Sequence, residues 1–297
     1  MPVPKRDFHQ KIMLKTTITI GIPAHNEAKN VGNLLSQLVL QKLHNIVIQQ
    51  IFVYSDGSTD NTVQLLESIK NKLIKVVDNR KRQGISYALN QILKNCHSDL
   101  LLLLDADISI TDPEYINKIT MPIIKHKADL VSTQMVELEP TNFYSRMLWV
   151  SQQVKNNVFN QINNGNNIFN CKGPARAFSK KLYKHIIFPK HIANDAYSYL
   201  RCHELGMKFN FVKNTEVNYK LVDNFSDHQK QSSRFFHSVR VHLSPTAIIL
   251  GLINSLNILL KYPIHSIAYL FVIFYIKIKS LFQTVEINSW QMATSSK

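Results

Sequence analysis

The run LLLLLDAD occupies residues 100–107, where five consecutive leucines precede two aspartates that are one residue apart. A short apolar run of this kind is typical of a strand that is buried on both faces of a parallel sheet. Two carboxylates directly after such a strand repel each other unless a cation or hydrogen-bond donors offset their charge. The run therefore predicts a strand at 100–104, with Asp105 and Asp107 at its end as either a metal site or a structural pair.

Extended and helical patterns alternate on both sides of this run. Apolar runs predict strands at 16–22, 48–54, 73–77 and 129–135, and helical spacing predicts helices at 30–40, 59–70, 84–95 and 113–125, the last with Asp112 as its cap and Pro113 in its first turn. Such alternation predicts an α/β fold with a Rossmann-like, mostly parallel sheet flanked by helices. The alternation fades from about residue 143, the asparagine-rich segment 156–170 predicts a loop, and the second half is expected to be α+β.

The composition is that of a basic globular protein. Of 297 residues, 45% are apolar, and 35 lysines and arginines outnumber 20 acidic residues, which gives a formal net charge of +15. Such a charge favours anionic partners, namely nucleic acid, anionic lipid or phosphorylated substrates. The cysteines, Cys96, Cys171 and Cys202, have spacings that fit neither a zinc site nor a disulfide framework, which favours a reducing compartment. No apolar run of signal-peptide length precedes the first predicted strand, so we expect the chain to start in the cytoplasm.

Two apolar runs lie near the end of the chain. They occupy residues 246–260 and 264–278 and are separated only by Lys261-Tyr262-Pro263, which predicts an apolar helical hairpin within 241–297. Each run is shorter than the roughly 20 residues that cross a bilayer, so buried, re-entrant, interfacial and spanning helices all remain open. Together with the basic charge, the runs predict that this region associates with a membrane surface, with the rest of the chain on the cytoplasmic face of that membrane.

Polar residues cluster directly after three of the predicted strands. The first strand is followed by Pro23-Ala24-His25-Asn26-Glu27, the second by Asp56-Gly57-Ser58-Thr59-Asp60-Asn61-Thr62, and the strand at 100–104 by Asp105-Ala106-Asp107. Because ligands bind beyond the carboxyl ends of the strands in open α/β sheets, the five carboxylates of these motifs are expected at one crevice. Carboxylates suit Mg²⁺ or Mn²⁺, and such an ion neutralises a bound diphosphate. The alternative for residues 56–60 is a tight turn that only caps a helix.

In this order, the three motifs resemble those of family 2 glycosyltransferases with the GT-A fold, and the resemblance covers about the first 240 residues. It implies a UDP- or GDP-linked sugar as the donor and Mg²⁺ or Mn²⁺ as the cofactor. The residues that it places at the donor are Pro23, Ala24, Asn26, Glu27 and Asp56, with Asp56 by the nucleotide base and Glu27 near the base or the ribose. It places Asp105 and Asp107 around the diphosphate and the metal, with Asp107 as the more direct ligand.

Motifs in the second half extend the resemblance. The segment Phe169-Asn170-Cys171-Lys172-Gly173-Pro174-Ala175 is similar to the family's acceptor-side segment, which implies acceptor-side roles for Cys171 and Gly173. Asn194-Asp195 resembles the family's Glu-Asp pair and implies that Asp195 is the catalytic base. Gln231-Ser232-Ser233-Arg234-Phe235 begins 36 residues later (231 minus 195) and is similar to the Gln-x-x-Arg-Trp motif of the cellulose, chitin and hyaluronan synthase branch. It implies donor-side roles for Gln231 and Arg234 and an acceptor-side role for Phe235.

Two departures and several alternatives accompany this resemblance. Phe235 stands where the synthases have Trp, which removes an indole N–H. Ile85 stands where many relatives have Lys, and the turn 80–82 is either the source of the missing charge or only a solvated basic turn. Asp195 also suits a helix cap before residues 196–205. Arg234 suits an ordinary surface position, and Cys171 suits a small buried one.

The sequence thus predicts a GT-A domain over 1–240, with a donor half at about 16–135 and an acceptor half at about 136–240, followed by the apolar segment 241–297. The implied activity is metal-dependent, inverting transfer of a sugar to a hydroxyl group of a lipid or glycan acceptor, as in the synthesis of cell-envelope polysaccharide. The alternatives are a processive polysaccharide synthase, an inactive membrane-bound partner and a basic nucleic-acid-binding protein. Scattered basic residues and the lack of a recognised binding motif argue against nucleic acid.

Overall fold

The computed structural model describes residues 15–190, 192–236 and 244–282, and the side chains of residues 230, 233–236 and 280–282 lie outside that description. Within these residues, eight strands form one sheet: β1 (Thr16–Ala24), β2 (Ile46–Asp56), β3 (Ile74–Asn79), β4 (Leu100–Leu104), β5 (Ile108–Ser109), β6 (Leu130–Glu137), β7 (Ala175–Ser179) and β8 (Phe209–Tyr219). The helices there are α1 (Val31–Val39), α2 (Thr62–Ser68), α3 (Ile85–Asn95), α4 (Tyr115–Ile124), α5 (Phe143–Gln161), α6 (Lys180–Tyr183), α7 (Asn194–Glu204), α8 (Phe225–Phe236), α9 (Pro245–Asn254), α10 (Leu256–Lys261) and α11 (Pro263–Phe282).

The sheet order β3-β2-β1-β4-β7-β6-β8-β5 confirms the predicted α/β class and adds antiparallel strands to it. β1 runs parallel to β2 and β4, and β2 runs parallel to β3. β7 runs antiparallel to both β4 and β6, and β5 runs antiparallel to β8. The chain builds outward from β1 to β3 and then places β4 on the other side of β1. Ligands bind open sheets at such a reversal, which here lies beyond Ala24 and Leu104.

The strand Leu100–Leu104 is buried along its whole length, as the run of leucines predicts. Successive side chains of a strand point to opposite faces of the sheet. Leu100, Leu102 and Leu104 join one core, which α1 and α4 cover, whereas Leu101 and Leu103 join a second core, which α3 covers. Because apolar packing on both faces fixes β4, the residues directly after it start from a rigid position.

The prediction of a loop at 156–170 is wrong for its first part, because α5 continues to Gln161. The helix begins at a capping box, in which the Asn142 side chain accepts a hydrogen bond from the Ser145 amide at 2.8 Å. The Ser145 hydroxyl oxygen accepts one from the Asn142 amide in return, at 3.1 Å. Asparagine lowers helix propensity by only a few tenths of a kcal/mol, roughly, so the burial of apolar side chains such as Met147 outweighs it.

The start of α4 also differs from the prediction. The helix begins at Tyr115, and Glu114 holds its N-cap position without a side-chain hydrogen bond. Asp112, the predicted cap, instead accepts hydrogen bonds from the Glu114 amide at 2.9 Å and from Lys118 Nζ at 2.8 Å. Asp112 therefore orders the turn that leads into the helix.

Both apolar runs near the end of the chain are helical. The first contains α9 and α10, the second forms most of α11, and α9 and α11 each contact α5. Across the described ranges, no helix combines the length and the apolar character that a bilayer crossing requires. The predicted hairpin stays a prediction, since residues 241–243 and 283–297 lie outside the described residues.

Candidate functional site

The loops after β1 and β2 are tied together by hydrogen bonds from Asn26. This residue has a left-handed backbone, with φ of 57°, a conformation that asparagine tolerates better than most residues. Its Oδ1 accepts a hydrogen bond from the Thr59 amide at 2.7 Å, and its own amide donates to Ser58 Oγ at 3.2 Å. The amide of Glu27 donates to Thr62 Oγ1 at 2.8 Å. The predicted donor-side residue Asn26 therefore helps to hold the crevice wall.

Pro23 and Ala24, which the sequence places at the donor, are the last residues of β1. Both are buried, and they pair with Tyr54 and Ser55 near the end of β2. His25 follows them, and its Nδ1 hydrogen bonds to the Asp56 carbonyl oxygen at 2.8 Å. The two strand ends therefore lie side by side, as the predicted crevice requires.

The buried carboxylate of Asp56 holds the loop before α3. One oxygen accepts a hydrogen bond from the Gln83 amide at 2.8 Å, and the other accepts one from the Gly84 amide at 2.6 Å. The next residue, Gly57, has φ of +66°, and a Cβ there would lie 2.5 Å from the Arg82 amide nitrogen. Asp56 and Gly57 together seat the basic turn 80–82 against the end of β2.

Asp60 is a structural carboxylate rather than a part of the crevice. Its Oδ2 accepts a hydrogen bond from the Ala28 amide at 3.2 Å, and its Oδ1 accepts from the Thr62 amide at 3.1 Å and from the Thr62 hydroxyl. Burial favours the neutral acid, but the hydrogen bonds from Thr62 and Ala28 outweigh it and lower the pKa of Asp60. The tight-turn alternative thus accounts for Asp60, and the expected set of five carboxylates shrinks to four.

Glu27, Asp105 and Asp195 form the electrostatic centre of the site, at the ends of β1 and β4 and the start of α7. Burial raises the pKa of Asp105 to about 6, the charge of Arg176 opposes that rise, and the charges of Glu27 and Asp195 add to it. Glu27 is only 2% exposed. One charge shifts the pKa of another group in this way only over a short distance. The fold therefore brings Glu27, Asp105 and Asp195 close together, although the first and the last are 168 positions apart in the sequence (195 minus 27).

Arg176 is the residue that sequence reasoning missed. It lies in β7, is 1% exposed, and donates to the Asn194 carbonyl at 2.8 Å, to Asn194 Oδ1 at 2.6 Å and to Ser198 Oγ at 2.6 Å. It also donates to the Gly173 carbonyl at 3.2 Å. A buried guanidinium is tolerated only when such partners surround it. The signal in the sequence is an arginine between Ala175 and Ala177, inside a short apolar strand.

Asp195 lies in the first turn of α7. The helix begins at Asn194, with Ala193 at its N-cap position, and Asp195 Oδ1 accepts a hydrogen bond from the Ala196 amide at 2.7 Å. A Cβ on Gly173 would lie 3.9 Å from Asp195 Oδ2, so the acceptor-side segment runs directly past this carboxylate. Asp195 therefore touches the helix start without being its N-cap residue, and one of its oxygens faces the segment that the sequence assigns to the acceptor.

Cys171 has a structural position in the same segment. Its Sγ donates to the Asp195 carbonyl oxygen at 3.5 Å, and the side chain is 2% exposed. Burial raises the pKa of the Cys171 thiol well above its usual value, so the thiolate does not form at neutral pH. This supports the small buried position for Cys171, whereas Gly173 is the residue of the segment that lies beside the Asp195 carboxylate.

A second polar cluster lies behind the acceptor-side segment. Glu137, which is 6% exposed, accepts hydrogen bonds from Gln153 Nε2 at 2.8 Å and from the Tyr219 hydroxyl at 2.9 Å. Lys172 donates to Asn156 Oδ1 at 2.8 Å, and burial lowers the pKa of Lys172 to about 8 although the charge of Glu137 opposes that shift. The cluster therefore supplies a cationic group one residue away from Gly173.

Asp105 and Asp107 fit a divalent ion that diphosphate oxygens help to hold. Within the described residues, no group of three or more His, Cys, Asp or Glu side chains is arranged as a metal site. Mg²⁺ commonly uses one or two carboxylates together with substrate phosphates, so two aspartates suffice when a diphosphate is present. Asp105 lies close enough to the charge of Arg176 for its pKa to respond, and Asp107 is half-buried. Asp105 is half-buried as well, so the choice of Asp107 as the direct ligand stays a prediction.

The predicted Gln-x-x-Arg-Phe motif is described only in part. Its backbone belongs to α8, and the side chain of Gln231 is exposed. The side chains of Arg234 and Phe235 lie outside the described residues. Their roles at the donor and the acceptor stay predictions.

Comparison with protein families gives a match over most of this site. A family model described as Glycosyl transferase family 2 matches residues 19–187, which is more than half of the chain. The match spans the motifs after β1, β2 and β4 and the acceptor-side segment, and it ends before Asp195. The 4,4'-diaponeurosporenoate glycosyltransferase of Staphylococcus aureus strain N315 is 26% identical over 189 residues, covering 59% of this chain and 49% of that enzyme. This chain thus spans about half the length of the curated relatives that it matches.

Solved structures share the fold. TarS 1–349 of Staphylococcus aureus, in complex with UDP-GlcNAc, matches with a TM-score of 0.52 and 18% identity, over 83% of this chain and 73% of that chain. The mannosyltransferase PcManGT of Pyrobaculum calidifontis, in complex with GDP-Man and Mn²⁺, matches with a TM-score of 0.57 and 13% identity, over 92% of this chain and 77% of that chain. At these identities the likeness concerns the fold alone, and it confirms the predicted GT-A fold.

Proposed function

Because this chain belongs to glycosyl transferase family 2, we propose that it moves a sugar from a nucleotide diphosphate donor to a hydroxyl group of a lipid or glycan acceptor. The observation that carries the proposal is the cluster of Glu27, Asp105 and Asp195 with the buried Arg176, beyond the ends of β1 and β4. The structural neighbours TarS, with UDP-GlcNAc, and PcManGT, with GDP-Man, support a UDP- or GDP-linked donor.

In the proposed reaction, Asp195 acts as the general base. It takes the proton from an acceptor hydroxyl group while that oxygen attacks the anomeric carbon, and the nucleotide diphosphate leaves from the opposite side with inversion of configuration. The Ala196 amide fixes one oxygen of Asp195, and Gly173 leaves room in front of the carboxylate. General base catalysis of this kind contributes about 10² to 10⁴ in rate.

Asp107, assisted by Asp105, would hold a Mg²⁺ or Mn²⁺ ion, which when bound offsets the negative charge of the diphosphate. The Mn²⁺ in the PcManGT complex supports this cofactor. The Asp105 amide donates to the Pro174 carbonyl at 2.9 Å, so the end of β4 and the acceptor-side segment keep a fixed separation. Arg234 is the candidate for a second cation beside the diphosphate, because a guanidinium binds two phosphate oxygens at once.

At the other end of the donor, Glu27 and Asp56 are proposed to contact the ribose and the base. Asp56 does so from a fixed position, because its two oxygens hold the loop before α3. The basic turn 80–82 lies on that loop and is exposed, which supports a role for its cationic side chains at the rim of the proposed donor crevice. They supply the charge that Ile85 does not.

We propose transfer of one sugar, or a few, to the acceptor. A processive synthase is the second candidate, because Gln231 and Arg234 stand at the spacing of the synthase motif. The length of the product distinguishes the two: a distributive enzyme gives products that grow by one sugar at each encounter, whereas a processive enzyme gives long products while most of the acceptor is still unmodified.

A panel of UDP- and GDP-linked sugars tests the proposed function. The purified chain is mixed with each donor and Mn²⁺, and release of nucleoside diphosphate is measured with and without a chelator. We expect release from at least one donor and its loss after chelation. If no nucleotide sugar binds while RNA or DNA binds with a steep dependence on salt, the nucleic-acid alternative is correct instead.

A further inference from the structure

Helix α9 packs against the domain through its small residues. Ala247, Gly251 and Ser255 are buried and lie four positions apart, on one side of α9 and its end. A Cβ on Gly251 would lie 2.5 Å from the Cα atom of Val158, so α9 and α5 approach each other closely. Asn157 Nδ2 donates to Ser255 Oγ at 3.0 Å and adds a polar contact. The large apolar side chains of α9 therefore point away from the domain.

Helix α11 has two apolar sides. Its inner side packs on α5 through Ala268, Tyr269 and Val272, which join a cluster with Met147 and Leu148. Its opposite side is also apolar, at a spacing of three or four residues, and its members are 41–71% exposed: Ile264, Ile267, Leu270, Phe271, Phe274, Tyr275 and Ile278. A helix on the surface of a soluble domain usually has charged or polar residues on that side, whereas a helix that is apolar all round is buried in protein or in lipid.

Because α10 contacts both α9 and α11, we consider the exposed apolar residues of the three helices together and call them the outer face. Its members besides those of α11 are 44–71% exposed: Ile249, Leu250, Leu252, Ile253, Leu256 and Leu260. Soluble monomers rarely expose so large a group of neighbouring apolar side chains, and such patches mark surfaces for protein or membrane.

The charge of this region favours lipid over protein. Residues 244–282 contain three lysines, Lys261, Lys277 and Lys279, and no aspartate or glutamate. A second copy docked on the outer face would add three more lysines to an interface that already has three, with no carboxylate of the same segment to offset them. Lys261 and Lys277 are exposed, whereas Lys279 is half-buried and donates to Gln229 Oε1 of α8 at 3.4 Å. Anionic headgroups offset the exposed lysines, and lysine reaches headgroups by extending its apolar stem along a buried surface.

We propose that the outer face docks on an anionic membrane and lies in the interface between headgroups and acyl chains. Because the inner sides of α9 and α11 are covered by α5, the helices offer lipid one side only, as an interfacial anchor does. Docking fixes the orientation of the whole domain relative to the membrane, since Asn156 of α5 accepts a hydrogen bond from Lys172 of the acceptor-side segment. The inference does not depend on the proposed sugar transfer.

Co-sedimentation with lipid vesicles tests the inference. The full chain is mixed with vesicles of phosphatidylcholine alone or of phosphatidylcholine with phosphatidylglycerol, and the bound fraction is measured. The variant Phe271→Glu/Phe274→Glu changes two outer-face residues that are 71% and 64% exposed. The matched control is Leu40→Glu/Ile187→Glu, which places the same charges at positions 77% and 75% exposed, away from α9–α11.

We expect the wild type and the control to bind the phosphatidylglycerol vesicles and the outer-face variant to bind at least ten times more weakly. Circular dichroism melts and nucleoside diphosphate release check that both variants are folded. The inference is overturned if the wild type stays in the supernatant or if the outer-face variant binds as the wild type does. It is also overturned if sedimentation velocity shows a dimer that the outer-face variant dissociates, because the face then belongs to a second copy.

Discussion

The donor crevice and the outer face depart from the usual pattern of a soluble protein in opposite directions. The crevice buries ionisable groups, since Glu27 and Arg176 are 2% and 1% exposed, whereas the outer face exposes apolar ones, such as Phe271 at 71%. Burying charge and exposing hydrocarbon both cost free energy, so each arrangement implies a ligand or a compensating partner. For Arg176 the compensation is internal, because it donates to the carbonyl and the side-chain oxygen of Asn194, whereas for the outer face the proposed compensation is external. Substitutions in the crevice should therefore change turnover, and substitutions on the outer face should change only membrane binding.

Apart from the proposed base Asp195, the largest effect is expected from Asp107→Ala. Loss of the proposed direct metal ligand should lower Mn²⁺-dependent turnover by about 10² to 10³, which is typical of removing one electrostatic stabiliser of a transition state. Nucleoside diphosphate release at a series of Mn²⁺ concentrations measures it. Asp78→Ala is the control, because Asp78 is exposed on β3. Turnover of Asp107→Ala that rises with Mn²⁺ as in the wild type would show that Asp107 is not a ligand.

Arg176→Met should affect both stability and turnover. It removes the donor to the Gly173 carbonyl and to Ser198 Oγ, and one of the two side-chain donors to the Asn194 carbonyl. We therefore expect a loss of about 3–5 kcal/mol in the free energy of unfolding. Because Asn194 precedes the proposed base, turnover should fall by roughly ten- to a hundredfold in the fraction that stays folded. Urea unfolding and kcat measure the two effects.

Two further variants separate position from charge at this site. Arg176→Lys keeps the positive charge but lacks the planar guanidinium with its several donors. Compared with Arg176→Met, it should restore the free energy of unfolding more fully than it restores kcat. Arg201→Met removes a surface arginine of α7 that pairs with Glu204 at 3.0 Å, and it should cost no more than about 1 kcal/mol. If Arg176→Met and Arg201→Met lose equal amounts of kcat, the positioning role of Arg176 is contradicted.

A smaller effect is expected from Gly57→Ala, and Gly206→Ala provides its control. Both glycines have φ of +66°, but a Cβ on Gly57 would lie 2.5 Å from the Arg82 amide nitrogen, whereas nothing lies within 4 Å of a Cβ on Gly206. Each variant should lose about 1–2 kcal/mol in stability from its backbone conformation. Only Gly57→Ala should also raise the KM for the donor, because it displaces the loop that Asp56 holds. An unchanged KM would separate that loop from donor binding.

The smallest effect on chemistry is expected from the outer-face variant Phe271→Glu/Phe274→Glu. Its release of nucleoside diphosphate from a soluble donor should stay within about twofold of the wild type, since surface substitutions usually change stability by less than about 0.5 kcal/mol. A large loss of turnover without vesicles would mean that the outer face and the crevice are coupled through α5.

The sequence predicts the crevice better than it predicts what surrounds it. The end of β4 is where the run of leucines predicts it, because burial on both faces leaves a local pattern. Strands β1 and β2 each continue two residues beyond their predicted ends, to Ala24 and Asp56. Arg176 could not be assigned, because its partners Asn194 and Ser198 are fixed only by the tertiary fold. The end of α5 was missed because its asparagines suggest a loop, while packing and the Asn142 cap decide the helix. The sequence around Asp60 does not indicate that its carboxylate accepts a hydrogen bond from the Ala28 amide.

The proposed base is tested most directly by Asp195→Asn beside Asp78→Asn. The amide has the shape of the carboxylate, and its Oδ1 can still accept from the Ala196 amide, so the fold and donor binding should be kept. With a donor and an acceptor identified by screening, we expect the transfer rate of Asp195→Asn to fall by about 10² to 10⁴ while Asp78→Asn matches the wild type. Transfer by Asp195→Asn at a rate near that of the wild type would contradict the account of this site.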